Sequence, residues 1–355
     1  MKIHPFSLFI FAFAFGKTQA QDIHFSMYQN VPTLLNPALV GLAPGENTQR
    51  ITSSYRSQWL KPVNQPAFHT ALASYDFRWC PLPCDPGEVK FFGFGLNMAH
   101  DRAGESPLQR SQALLQFSFS QSIGNELLLA AGAEGGGIFH QLGNGERTFD
   151  EQFIGGVYDE TAQGEDFDNS SFAVEDFGAG VALYTCGYGS EGHGFSVGAS
   201  FKHLTQPEYR FFQDSQQDVK SSLPMRMSLH GRFHWLLREN SHAADIRAVF
   251  MDQGVYRQFL VSLDGLWYLQ SRQSHLFNMD GSLAWRRAQF LDSGWHSDAL
   301  VFALALNTDA VRFSLSYDLS LSKVQVLQNR GAFELSFQYF WKIGDDCRMI
   351  GPAGI

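Results

Sequence analysis

The chain has 355 residues and a net charge of −9 at pH 7, with only 17% charged residues and 14% aromatic ones. An ordinary globular domain has about 25% charged residues. This composition therefore fits a membrane β-barrel, where only alternate residues face lipid, or a secreted β-sandwich or β-helix. The acidic balance, without a basic patch, argues against nucleic acid as a partner.

The first twenty residues have the layout of a secretory signal peptide. Lys2 supplies the charge, Phe6 to Phe15 the apolar stretch, and Thr18 to Ala20 the small-residue cleavage site. The sequence therefore predicts a cleaved signal peptide over residues 1–20 and export of a mature chain that begins at Gln21.

The next segment, residues 21–48, precedes the first predicted strand and contains QNVPTLLNPALVGL at 29–42. Pro32 and Pro37 forbid a regular helix or a central strand there. The apolar side chains of this segment nevertheless need burial, so its location depends on the fold of the rest of the chain.

Strict period-two alternation is the strongest pattern in the sequence. Residues 311–322 read VRFSLSYDLSLS, in which apolar and polar residues alternate without a break. Such a run is as long as a tilted membrane strand of about 9–11 residues, whereas soluble strands average about 5–6. The polar face suits a lumen and the apolar face suits lipid.

Fourteen segments carry a comparable pattern, and a bacterial single-chain barrel requires an even number of strands. The predicted strands are 50–59, 67–78, 91–102, 107–121, 126–141, 176–186, 194–203, 225–237, 244–252, 257–269, 276–286, 299–307, 311–322 and 331–342. The sequence therefore predicts an all-β fold, a transmembrane antiparallel β-barrel of about 14 strands. An N-terminal segment would lie in its lumen or in the periplasm.

The connections support this prediction. If the N-terminus is periplasmic, the two longest connections, 142–175 and 204–224, both lie outside the cell. The periplasmic connections are mostly short turns, as barrels require, and 79–90 is the exception. We therefore assign 49–342 to an outer-membrane barrel surrounded by lipid, and 343–355 to a periplasmic tail.

All four cysteines fall at the predicted periplasmic end. The periplasm oxidises thiols, so a disulfide between Cys80 and Cys84 is one hypothesis. Metal binding by the CPLPC turn is the alternative, but the sequence offers no matching His or Cys pair. We therefore predict no metal site.

The segments, taken in order, resemble one known family. The start QDIHFSMYQNVPTLLNPALVG, then YRSQW, SYDF, FGFGLNMAHDRAG, GFSVGASFKHLTQPEY, SLPMRMSLHGRF and SYDLSLSKV resemble successive parts of the PorP/SprF family. The likeness spans nearly the whole mature chain. It is specific as an ordered set, although the acidic 142–175 connection and the CPLPC turn do not match the family pattern.

This resemblance implies an outer-membrane barrel of Bacteroidota that works with the type IX secretion system. Members of the family support export or surface attachment of large secreted proteins, including gliding adhesins, and are not known as enzymes. The implied partners are a large secreted protein with a type IX C-terminal domain and other type IX components.

The proline-marked segment has three readings within such a barrel. It could fill the lumen as a plug, dock a partner at the periplasmic mouth, or cap the first strand. Its Asn-Pro-Ala also resembles the hatch of fatty-acid-transporting barrels, so a FadL-like transporter of hydrophobic or small solutes is the alternative function. The residues that we assign to the plug hypothesis are Pro32, Leu34, Leu35, Asn36, Pro37 and Ala38.

The 142–175 connection carries nine acidic residues and one basic residue. Its oxygen ligands lack the spacing and glycine of an EF-hand, so a solvated loop is favoured over a calcium site. Apolar residues among these charges can mark a binding surface. The residues that we assign to contact with a secreted partner, here and in 204–224, are Phe153, Ile154, Tyr158, Phe167, Tyr209, Phe211 and Phe212.

The sequence offers little support for catalysis. It has 12 His residues but no HExxH or GxSxG motif. His230 and His234 share the polar face of one predicted strand, where packing in the lumen explains them. We therefore predict a non-enzymatic protein without a cofactor.

Overall fold

A computed structural model gives the fold over most of the chain. It describes residues 22–45, 47–58, 68–80, 89–103, 108–124, 127–143, 153–154, 157–158, 170–185, 193–211, 222–238, 242–270, 276–290, 294–321 and 331–344.

The described residues form strands almost throughout. The strands are β1 (Gln49–Gln58), β2 (Phe68–Trp79), β3 (Lys90–Ala103), β4 (Leu108–Ile123), β5 (Leu127–Leu142), β6 (Phe153–Ile154), β7 (Val157–Tyr158), β8 (Ser171–Thr185), β9 (Gly194–Lys202), β10 (Arg226–Arg238), β11 (His242–Gln253), β12 (Tyr256–Gln270), β13 (Leu276–Phe290), β14 (His296–Asn307), β15 (Val311–Ser320) and β16 (Ala332–Trp341). One short helix, α1 (Pro32–Leu35), lies before them. No helix in the described ranges is both long enough and apolar enough to cross a membrane.

Fourteen of the strands close into one antiparallel barrel, in which β1 pairs with both β2 and β16. The two-residue strands β6 and β7 form a separate hairpin inside the connection between β5 and β8. The predicted fold, an antiparallel barrel of about 14 strands, is therefore confirmed.

Alternation decides which side chains face the lumen. On β15, Ser314, Ser316 and Asp318 are buried, whereas Leu315 and Tyr317 between them are exposed. The same pattern recurs around the ring, so the outer surface carries exposed Leu, Phe, Tyr and Trp and the interior carries Ser, Gln, Asp, Glu and Arg. This is the distribution that lipid outside and a polar lumen require.

The barrel has two different ends. At one, here called the turn end, tight turns such as Gly124 and 308–310 join the strands, and β1 begins. At the other, here called the loop end, lie the long connections between β5 and β8 and between β9 and β10. Because neighbouring strands are antiparallel, all connections of one set fall at the same end.

The clearest difference from the predicted boundaries is at β8, which begins at Ser171 instead of at residue 176. The side chains of Phe172 and Val174 are apolar and yet buried inside the barrel. In this part of β8 apolar side chains therefore face inward, the reverse of the pattern elsewhere. Because the prediction expected polar residues on the inner face, it assigned these residues to the preceding connection.

Candidate functional site: a chain segment inside the lumen

Residues 22–45, here called the luminal segment, lie inside the barrel. Almost every side chain from Asp22 to Ala43 is buried, His24 being partly exposed. Single turns at Tyr28–Asn30 and Pro37–Leu39 flank α1. Pro32 and Pro37 each begin a turn, where a missing N–H costs nothing. The prolines therefore shape a compact, irregular segment that takes no part in the sheet.

Asn36 is fully buried and joins the luminal segment to the wall. Its Nδ2 lies 3.0 Å from Val181 O, 3.2 Å from Ala199 O and 3.0 Å from Nε2 of His230. Its Oδ1 accepts the N–H of Ala38 at 2.9 Å, which caps the turn at Pro37–Leu39. One asparagine therefore satisfies polar groups of β8, β9 and β10 that face the segment.

Two wall glycines make room for this contact. A Cβ at Gly180 of β8 would lie well inside 3.0 Å of Asn36 Oδ1. A Cβ at Gly132 of β5 would lie 2.5 Å from the carbonyl of Pro37 and from the nitrogen of Ala38. Real Cβ atoms essentially never approach so closely, so a larger residue at Gly132 requires the backbone of the segment to shift, and one at Gly180 requires the Asn36 side chain to move.

The apolar residues of the segment pack into three small clusters against the wall. Leu34 joins a cluster with Leu72 and Ala99, and Leu35 joins another with Val249 and Leu260. The third cluster contains Ala38, Leu39, Leu42, Phe91, Leu128, Ala130, Ala182 and Tyr184. Full burial of one such leucine contributes about 1.5–3 kcal/mol. The segment is therefore held by apolar packing as well as by hydrogen bonds.

Ser26 is fixed by a buried charge cluster near the loop end. Its N–H donates to Oε1 of Glu334 at 2.6 Å, and its Oγ donates to Oδ2 of Asp318 at 2.6 Å. Arg56 and Arg286 donate to the same Oγ and pair with Asp318 at 3.0 and 2.8 Å. The backbone N–H and the hydroxyl of Ser26 thus join the luminal segment to this network of charged wall residues.

Asp22 is held on the opposite side of the lumen. Its carboxylate pairs with Arg110 and Arg226, and His203 Nε2 lies 3.0 Å from Oδ2. Burial alone would raise the pKa of Asp22, but Arg110, Arg226 and His203 together hold it well below its usual value. Burial is the main cause that lowers the pKa of His24 to about 3, and the charges of Arg56 and Arg286 lower it further.

A third polar contact lies near the turn end. Asp76 receives the Gly41 N–H at 2.8 Å and pairs with Arg50 through bonds of 2.8 and 2.9 Å. Arg50 also donates to the carbonyl oxygens of Leu39 and Leu42 at 3.2 and 3.4 Å. A buried bidentate pair thus clamps the chain just before it leaves the lumen.

A cavity of about 530 Å³ remains beside the segment at the turn end. Arg312 lines this cavity and bonds Asp280 at 2.6 Å and Oδ1 of Asn30 at 3.1 Å. The hydroxyl of Tyr268 and Oδ1 of Asp280 are buried there and have no hydrogen-bond partner among the described residues. A polar cavity of this size with such atoms is suited to hold water.

The residues predicted to contact a partner fall in different places. Phe211 is buried, and its ring centroid lies 4.7 Å from that of Phe172. The ring centroids of Tyr209 and His140 are 5.1 Å apart. Burial raises the pKa of Tyr209. Phe153 pairs with Tyr158 and Ile154 pairs with Val157 in the hairpin of β6 and β7. Phe167 and Phe212 lie outside the described residues.

The structure describes only some of the residues named in the disulfide and metal hypotheses. Cys80 is disulfide-bonded, whereas Cys84 lies outside the described residues. Among the described residues, no group of three or more His, Cys, Asp or Glu side chains is arranged to hold a metal ion.

Sequence reasoning placed the luminal residues Pro32 to Ala38 in one group but missed the polar and charged residues that anchor the segment. Asp22, Ser26 and Asp76 were not singled out, although Asp76 lies on the buried face of β2. A charged residue on the polar face of a long strand is the signal that could have identified such wall contacts.

Comparisons with known proteins give a family and a fold. A sequence model described as type IX secretion system membrane protein PorP/SprF matches residues 17–339. A search of curated proteins found no match. The structure of the CymD monoaromatic hydrocarbon channel is similar, with a TM-score of 0.50, 11% identity, and coverage of 91% of this chain and 94% of that one. At this identity the likeness shows the fold, a barrel of the outer-membrane type.

Two further solved barrels are similar at lower scores. A TodX monoaromatic hydrocarbon channel mutant has a TM-score of 0.47 and 10% identity, covering 89% of this chain and 94% of that one. The β domain of the Bordetella autotransporter BrkA has a TM-score of 0.43 and 11% identity, covering 84% and 99%.

Proposed function

Because the chain belongs to the PorP/SprF family of type IX secretion system membrane proteins, we propose that it supports export or cell-surface attachment of a large secreted protein. The partner would be a protein with a type IX C-terminal domain, such as an adhesin used in gliding. The observation that carries this proposal is the family match over residues 17–339, which includes the luminal segment and nearly the whole barrel.

The filled lumen supports a role in holding or handing over a partner. We propose that the luminal segment acts as a plug, because direct hydrogen bonds at Asp22, Ser26, Asn36 and Gly41 tie it to opposite walls. A folded protein could not pass through a lumen that contains this segment. The secreted partner would therefore contact the outside of the barrel or its loop end.

We propose an outer-membrane location, reached through a cleaved signal peptide over residues 1–20. The exposed apolar side chains that surround the barrel, such as Leu115, Leu263 and Leu304, support contact with lipid. In this orientation the loop end faces the outside of the cell. Other type IX components are further expected partners, on the strength of the family.

We also propose that the protein is not an enzyme. The buried charges in the lumen are engaged with each other or with the chain, as in Arg50 with Asp76 and Arg56 with Asp318. Such neutralised groups serve packing, and the family is associated with secretion.

The test is gentle extraction of the full-length protein from its native outer membrane, with chemical crosslinking, followed by quantitative mass spectrometry. We expect a large secreted protein with a type IX C-terminal domain at near one-to-one stoichiometry. Substitution Tyr158→Ala at the loop end should weaken its retention, whereas Leu304→Ala on the lipid-facing wall should not. Recovery of the barrel without any secreted protein, crosslinked or not, would refute the proposal.

The alternative is a FadL-like transporter of hydrophobic or small solutes, with the luminal segment as its gate. The likeness in fold to the CymD monoaromatic hydrocarbon channel favours this alternative, as does the NPA segment inside the lumen. Liposome swelling separates the two functions. Uptake of a small apolar solute by wild-type protein, without a secreted partner in the extract, would favour transport.

A further inference from the structure

In the described part of the chain, the strand pairing of the barrel wall is interrupted beside the loop-end half of β8. β8 pairs with β9 only over Ala179–Tyr184, although its pairing with β5 runs from Thr185 to Ser171. On the unpaired side, the described contacts come from the chain that follows β9. The Leu204 N–H donates to the carbonyl of Phe177 at 3.0 Å, and the Thr205 hydroxyl donates to Glu175 O at 3.3 Å.

We call residues 203–211 and 222–225 the strap, because this connection from β9 to β10 folds inward. Its side chains Phe211 and Leu223 are buried against Ile138, Phe172 and Val174. The interior of a barrel is ordinarily polar. An apolar recess on β5 and β8, filled by the chain's own strap, is therefore a departure that stabilises the inward position of the strap.

The strap is also conformationally strained. His203 and Gln206, with φ of 57° and 44°, are the two described residues other than glycine that have positive φ. Such conformations cost on the order of 1 kcal/mol each and persist only where surrounding contacts impose them. The inward position of the strap thus depends on its contacts with the recess and with the luminal segment.

The first residue of the strap and the wall residue that follows the strap both contact the start of the luminal segment. His203 Nε2 lies 3.0 Å from Oδ2 of Asp22, while its Nδ1 lies 2.9 Å from Oδ2 of Asp176 in β8. Arg226, where the chain rejoins the wall, pairs with Asp22 and donates to the carbonyl of Ile23 at 3.1 Å. Of the three cationic or imidazole partners of Asp22, His203 belongs to the strap, Arg226 is the first residue of β10 directly after it, and Arg110 lies on β4.

We propose that the strap is a latch that holds the luminal segment in place. When Phe211 and Leu223 leave the recess, the strap withdraws His203 from Asp22 and loosens Arg226, so that the first residues of the luminal segment are released. An event at the loop end is thereby transmitted to the lumen. This coupling is a property of the barrel alone and does not depend on the identity of a secreted partner.

The experiment is hydrogen exchange with mass spectrometry on the full-length barrel in detergent. The reporters are the amides of Ser26 and Met27, which donate to Glu334 at 2.6 and 3.0 Å and lie outside the strap. Phe211→Ala removes one of the two strap side chains that fill the recess, and Leu223 remains. The matched control is Phe201→Ala, which removes the same ring from the lipid-facing side of β9, where Phe201 is 38% exposed. Heat-dependent electrophoretic mobility confirms that each variant is folded.

We expect Phe211→Ala to speed exchange of residues 22–30 by about tenfold or more, as local release of a docked segment does. Phe201→Ala should leave that peptide within about twofold of wild type. Asp22→Asn should speed exchange in both 22–30 and 203–211. The double variant Asp22→Asn with Phe211→Ala should then speed exchange at 22–30 by less than the two single effects combined, because both changes break the contact between His203 and Asp22.

Two results would overturn the proposal. Faster exchange confined to 203–211 in Phe211→Ala, with 22–30 unchanged, would mean that the strap moves without the luminal segment. Effects of the two substitutions that simply add would mean that the strap and Asp22 act independently.

Discussion

Replacing Gly180 by alanine tests whether the wall was shaped to accept the luminal segment. The new methyl would lie well inside 3.0 Å of Asn36 Oδ1. Asn36 must then leave contacts of 3.0 Å with Val181 O and of 3.2 Å with Ala199 O. The substitution therefore acts on the segment through a residue that belongs to the wall.

The expected effect follows from two terms. Overpacking a filled interior costs about 1–3 kcal/mol. Loss of two or three hydrogen bonds of Asn36 adds about 1 kcal/mol each. The docked segment should be destabilised by about 3–6 kcal/mol, which is about a hundredfold to ten-thousandfold in its docking equilibrium.

The assay is single-channel conductance of the purified barrel in planar bilayers, alongside proteolysis of residues 22–45. We expect Gly180→Ala to open more often and to be cut faster in the segment than wild type. Gly231→Ala is the matched control, since a Cβ there meets nothing closer than 3.7 Å. Conductance and protease resistance equal to wild type in a folded Gly180→Ala protein would refute the reasoning.

Three further predictions follow from the same structure. In the docked segment the pKa of His24 is lowered to about 3, so on acidification the released segment binds a proton before the docked segment does. Docking should therefore be strongest above about pH 6.5 and should weaken as the pH falls towards 3. Proteolysis of residues 22–45 across that pH range measures the effect. Asp76→Asn leaves Arg50 as an uncompensated buried charge and should cost about 3–5 kcal/mol in chemical unfolding, whereas intact stability would contradict the clamp. Leu304→Arg places a charge on the lipid face and should cost about 2–4 kcal/mol in refolding into vesicles, while Ala305→Ser, on the lumen side of the same strand, should be tolerated.

The strands could be predicted because a two-residue period is a local property. On β15 and β16 every second side chain meets lipid, so Leu315 and Leu335 are apolar and Ser316 and Ser336 are polar. A reader of the sequence needs no partner strand to see this pattern. It failed at the start of β8, where Phe172 faces inward because the strap gives it an apolar neighbour in Phe211.

The luminal residues could be singled out only as a group. Pro32 and Pro37 excluded the segment from the sheet, and its leucines required burial, which left several locations open. Which wall residues meet it depends on closure of the barrel. Asp22 meets Arg110, 88 positions away, and Asn36 meets His230, 194 positions away.

Periodicity along single strands was enough to predict the barrel, its number of strands and the side of the wall on which most residues lie. The filling of the lumen, the glycines that admit the luminal segment, and the meeting of His203 and Arg226 at Asp22 are properties of the folded barrel. Those contacts join residues from opposite sides of a closed ring. Their geometry is set by the shear and diameter of the whole barrel, which no local pattern records.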